Sequence, residues 1–182
     1  MTTMNHGHWI RALDCSSELV VTVSYDDFVR VWYPGQDVAR HRREGCPSGV
    51  MVSPNSELVV FWNSDQFWAW PLPYGGLETH LSGDHCHRIP MIFSPNSKRL
   101  LTCPGEESLE IWDTCSGDSV CELAVQAAAA HFSPDSQQLA ALVLLSDRYA
   151  VKIWDISSGD CVRSLDVDDA FDLRTLWQTA AT

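Results

Sequence analysis

Residues 153–165 read IWDISSGDCVRSL, and 42 positions earlier residues 111–123 read IWDTCSGDSVCEL, with 8 of 13 positions identical. A second marker runs beside the first. VSPNSELVV starts at Val52, FSPNSKRLL at Phe93 and FSPDSQQLA at Phe132, and a decayed copy, LDCSSELVV, starts at Leu13. Their starts lie 39, 41 and 39 residues apart, and Trp32, Trp70, Trp112 and Trp154 are spaced by 38, 42 and 42. Two marker series that hold one period near 40 identify a tandem repeat. That period suits four-stranded propeller blades and also some two-helix repeats.

Local chemistry separates the two. Apolar stretches at 58–62, 100–103 and 151–154 are each about one strand long, and most carry β-branched or aromatic residues. The S-P-N-S and S-S-G-D clusters between them are turn formers, and their prolines break a two-helix repeat. Residues 124–130 and 139–145 are the exception, since alanine and leucine favour helix. Ser133-Pro134-Asp135 splits that segment, so strands are expected there too.

These residues resemble the WD-repeat family over almost the whole chain, from Gly7-His8 to about Asp169. Ile111-Trp112-Asp113 and Ile153-Trp154-Asp155 are the most specific pieces, and SYDDFVRVW (residues 24–32) is similar to the family's second-strand, turn, third-strand passage. The resemblance implies an all-β fold, a partial WD-repeat β-propeller of about four blades, each a four-stranded antiparallel sheet. The repeats are expected at about 6–45, 46–84, 85–125 and 126–169, with 170–182 starting a truncated fifth. The resemblance also implies a buried tetrad of His, Ser or Thr, Asp and Trp, which maps onto His8, Ser24, Asp26 and Trp32. Trp70, Trp112 and Trp154 take the blade position in the later units, whose turns depart from the pattern. Propellers close with about four to eight blades. The chain is therefore expected to be a fragment of a larger propeller-containing protein, or else to complete its ring with another chain. More loosely, the repeats resemble the C-terminal WD arrays of fungal NACHT-domain proteins of the heterokaryon-incompatibility type. On that reading the chain is a truncated ligand-sensing region with no activity of its own.

Charge narrows the partners. The formal net charge is -12, and residues 101–182 hold 14 acidic against 4 basic side chains. An acidic surface repels phosphate backbones, so nucleic acid is not expected as a partner. Arg40, His41, Arg42 and Arg43 are too few for a nucleic-acid patch and read as a solvated strand. No apolar run approaches the roughly 20 residues of a membrane helix. Seven cysteines without a C-x-x-C framework suggest a cytoplasmic chain with reduced thiols.

Ser24, His8 and Asp26 supply the residue types of a hydrolytic triad, but they fall on tetrad positions and no G-x-S-x-G elbow is present. His80, Asp84, His85, Cys86 and His87 contain ligand types for zinc without a second ligand pair at standard spacing, and a polar loop is the preferred reading. The aromatic group Trp62, Phe67, Trp68 and Trp70 should place Trp68 and Trp70 on one strand face and Phe67 on the other. No enzyme activity, cofactor or metal is expected. The expected role is a protein-protein interaction platform. Its candidate rim is formed by turns between second and third strands: Tyr25, Asp27, Ser64, Asp65, Glu106, Glu107, Arg148 and Tyr149. An enzyme domain carried on a propeller is the less favoured alternative. The rim's acidity points to a partner with a basic surface.

Overall fold

The computed structural model describes residues 6–35, 39–42, 47–63, 66–72, 79–81, 91–105, 107–146 and 148–167. These residues form strands and turns, arranged as four four-stranded sheets with neighbouring strands antiparallel. The chain divides into two compact units, Met1–Gly83 and Asp84–Thr182. In the first unit, β1 (Ile10–Cys15), β2 (Val20–Ser24), β3 (Phe28–Trp32) and β4 (Ala39–Arg42) make one sheet. There β5 (Gly49–Val52), β6 (Leu58–Trp62), β7 (Phe67–Pro71) and β8 (Thr79–Leu81) make the next. The second unit holds β9 (Ile92–Phe93), β10 (Arg99–Gly105), β11 (Ser108–Asp113) and β12 (Ser119–Leu123). Its other sheet is β13 (Ala127–Phe132), β14 (Gln138–Leu144), β15 (Tyr149–Asp155) and β16 (Cys161–Val167). This is the blade architecture that the repeat period implies. Residues 170–182, assigned to a fifth repeat, lie outside the described residues.

The S-P-N-S clusters make the turn between first and second strands in three sheets. The Ser53 N–H bonds the Leu58 carbonyl (2.9 Å), and the Ser56 N–H returns to the Ser53 carbonyl (2.9 Å). The Ser53 hydroxyl donates to Asn55 Oδ1 (2.7 Å) and accepts from the Leu58 N–H (2.9 Å). Ser94 and Ser133 repeat this pattern with Asn96 and Asp135. Each serine is buried, so the turn closes its own polar groups. The last serine of each cluster, Ser56, Ser97 or Ser136, sits at φ near +60° (63°, 62° and 62°). Glycine enters that region at less cost. A hydroxyl there does what glycine cannot. Ser56 Oγ donates to Ser16 Oγ of the neighbouring sheet (2.7 Å), and Ser136 Oγ accepts from the Asn96 N–H (3.1 Å).

Each unit has its own apolar core. In the first, Val59, Phe61, Trp68 and Trp70 of the second sheet pack on Val21, Val23, Val29 and Val31 of the first. In the second, Leu139, Ala141, Val143 and Trp154 pack with Leu101, Leu109 and Ile111. The tryptophan-bearing face of one sheet thus covers the opposite face of the sheet before it. Phe67 is also buried, on the face opposite Trp68. The alanine-rich segment is strand from Ala127, because pairing with β14 and burial of Ala127 and Ala130 outweigh intrinsic helix preference.

Gly49 begins β5 because Trp62, directly opposite it in the register, lays its indole against the Gly49 Cα. A Cβ there overlaps the ring. Gly49→Ala is expected to lower stability by about 1–3 kcal/mol through overpacking, read as a lower urea midpoint with an unchanged slope.

Candidate functional site

The first sheet carries a buried polar network on the face turned away from the second sheet. Val21 and Val23 point to the core, so the alternate residues Thr22 and Ser24 point the other way, as do Arg30 and Trp32. The Trp32 indole N–H donates to Thr22 Oγ1 (2.8 Å), which also meets His6 Nε2 (2.9 Å). Arg30 donates to His6 Nδ1 (2.9 Å), to Ser24 Oγ (3.2 Å) and to both oxygens of Asp26. Ser24 Oγ donates to Asp26 Oδ1, which also accepts the Phe28 N–H (3.2 Å).

This geometry corrects the expected tetrad in two members. His8 is exposed and takes no part, because the chain bends at Gly7-His8 and sends the ring outward; His6, two residues earlier, reaches Trp32 at 5.3 Å between ring centroids. Ser24 does not serve the indole. Trp32 faces Val20 across the ladder, and the side chain two residues further on the same face is Thr22. Ser24 instead joins Asp26, and Arg30 links that pair to the histidine.

The tautomer of His6 follows from its partners. Arg30 only donates, so Nδ1 must be the bare nitrogen and Nε2 carries the proton toward Thr22. Burial, first, and then the Arg30 charge lower the His6 pKa below the ordinary imidazole value of 6.5, with Asp26 opposing. A group held neutral in the fold contributes stability that is full above 6.5 and declines as pH falls toward the folded pKa. We expect the urea midpoint to fall over that window, and the His6→Gln variant to lose most of that slope.

The same register rule identifies the other tryptophans. Trp112 faces Leu100, and its indole N–H donates to Thr102, two residues on (2.9 Å). In the second and fourth sheets that position holds Phe61 and Ala141, neither of which carries a hydroxyl. The aspartate after tryptophan builds the next turn. Asp113 Oδ1 accepts the N–H groups of Cys115 (2.9 Å) and Ser116 (3.0 Å), and Gly117 takes φ +77°. Asp155 repeats this with Ser157 (2.9 Å), Ser158 (3.0 Å) and Gly159 at φ +73°. The Ser116 N–H, more than any other group, holds the Asp113 carboxyl below the usual range, and Arg99 adds to it.

Residues 1–33 match the family described as WD domain, G-beta repeat. The match supports the WD-repeat family, and the WD signature now has a structural meaning: the tryptophan serves its own sheet and the aspartate the turn that follows. WD repeats generally act as non-catalytic scaffolds for protein-protein interaction. No curated protein matches the chain.

The residues expected at the rim fall between the second and third strands of their own sheets, with Tyr149 opening the third. Tyr25 is 58% exposed and Tyr149 45%. Asp27 holds the turn at φ +64°, and Glu107 is exposed. Arg148 lies 3.4 Å from Asp166, both largely in solvent. Ser64, Asp65 and Glu106 lie outside the described residues, as do Asp84, His85, Cys86 and His87. Among the described residues no group of three or more His, Cys, Asp or Glu is gathered for a metal ion, and no helix is long and apolar enough to cross a membrane. Ser24 is fully buried with its hydroxyl committed to Asp26 and Arg30, which is not the exposed, histidine-activated arrangement of a nucleophile.

Sequence reasoning missed the most exposed aromatic at this rim. Trp9 is 84% exposed, and its carbonyl accepts the Tyr25 N–H (3.0 Å). Arg11 places its guanidinium 5.4 Å from the Tyr25 ring centre. Only the register shift between Ile10 and Ala12 reveals that Arg11 is an extra residue beside the rim.

Proposed function

We propose that the chain is a non-catalytic protein-binding scaffold that engages a partner through this rim, and that the partner presents a basic surface. The observation that carries the reading is the pair Trp9 and Tyr25, two large aromatics in solvent whose backbones are joined by a hydrogen bond. Rigid exposed aromatics lose little entropy on binding and dominate interface energetics. The net charge of -12 favours a cationic partner and a salt-sensitive association rate.

A photo-crosslinking amino acid placed at Tyr25 tests this in the cell of origin. We expect one dominant protein adduct that is lost in the Trp9→Ala variant, and little adduct from the same group at Val162 on β16. Adducts from Val162 with none from Tyr25 overturn the assignment of the rim.

A further inference from the structure

The fourth sheet has the same bulge as the first, with a different residue on it. In the first sheet, Ile10 pairs Ser24 and Ala12 pairs Val23, so Arg11 is extra. In the fourth, Ala127 pairs Val143 and Ala129 pairs Leu142, so Ala128 is extra. The closing bonds also correspond: the Tyr25 N–H to the Trp9 carbonyl (3.0 Å), and the Leu144 N–H to the Gln126 carbonyl (2.8 Å). In the first sheet the bulge residue is an arginine that reaches a tyrosine ring. In the fourth it is an alanine, and beside it lies an open cavity of about 200 Å³ lined by Gln126, Ala127, Ala128, Leu144 and Tyr149.

We propose that this cavity receives an arginine side chain from a basic segment of a partner protein. This deepens the scaffold reading and rests on it. The cavity's chemistry fits that guest. Ala128 and Leu144 offer apolar surface to the aliphatic stem. The half-exposed Tyr149 ring offers its face to a guanidinium, as Tyr25 does to Arg11. Neither the Gln126 amide nor the Tyr149 hydroxyl makes a hydrogen bond among the described residues, so both are free to accept guanidinium N–H groups. Arg148, next to Tyr149 in the chain, is offset by Asp166 at 3.4 Å, and residues 101–182 carry ten more acidic than basic groups.

The test is a titration of the isotopically labelled full chain with N-acetyl-arginine N-methylamide, followed by amide NMR shifts. We expect saturable shifts at Ala127, Ala128, Leu144 and Tyr149, weakened by salt, and affinity about five-fold or more lower for the neutral isostere citrulline. Ala128→Arg, which places the guest within the chain, should abolish the titration, and Tyr149→Ala should weaken it. Equal binding of a norleucine derivative, shifts scattered over the surface, or none at these residues overturn the proposal. Crosslinks through Tyr25 together with a silent titration remove the arginine site alone. A specific titration without rim crosslinks removes the first-sheet rim reading instead.

Discussion

Asp26→Ala is expected to destabilise the first unit by about 3–5 kcal/mol, the usual result of removing one partner of a buried ion pair. The Arg30 side chain is 7% exposed and that of Asp26 15%, so Arg30 keeps its charge in a poorly solvated place once the carboxylate is gone. Its Nε already lacks a hydrogen-bond partner, which leaves Asp26 as its main compensation. Arg30→Leu added to Asp26→Ala should restore part of the loss, because no buried cation then remains. If the double variant is no more stable than Asp26→Ala, repulsion by a stranded charge is not the cause. The same pair predicts acid sensitivity. Arg30, first, and then Ser24 and the Phe28 N–H hold Asp26 far below the usual carboxylate range against the opposing effect of burial. A depressed carboxyl pKa contributes stability that is full above about pH 4 and lost as pH falls toward the folded value. The wild-type unfolding midpoint should drop more steeply below that pH than the midpoint of the double variant.

Phe61→Thr should also destabilise, by about 2–4 kcal/mol, although it restores the residue type that sheets one and three carry at this position. Thr22 and Thr102 each accept an indole N–H there. In the second sheet Phe61 is fully buried, stacked 5.5 Å from the Trp68 ring centre at 22°, and packed into the core with Trp70. Threonine removes most of the ring's volume and leaves a cavity. A new hydrogen bond to an indole returns only about 1 kcal/mol. Urea unfolding followed by tryptophan fluorescence distinguishes the outcomes, and an unchanged or raised midpoint shows that the hydroxyl, not the packing, limits this blade.

The two variants mark where sequence reasoning succeeded and where it failed. The Trp32, Trp112 and Trp154 positions were legible because a residue that recurs every 40 positions must recur in the same place in every sheet. Their partners were not. Which hydroxyl meets an indole depends on ladder register, and the ladder differs between units: the second and third strands pair from Gln138↔Asp155 to Leu144↔Tyr149 in the fourth sheet and from Val20↔Trp32 to Val23↔Val29 in the first. His6 and His8 illustrate the same limit over two residues, since the motif selects His8 and only the fold shows that His6 meets Thr22.

The sequence by itself determined the repeat, the strand class and the turn chemistry, because these follow from spacing, proline and glycine, and alternation within a few residues. The tertiary structure decided which histidine is buried, that Arg30 bridges it to Asp26, that Trp9 stands in solvent and that Ala128 borders a cavity. Each of these depends on which atoms of other strands occupy the same space, and cross-strand register and bulges set that beyond the reach of local pattern.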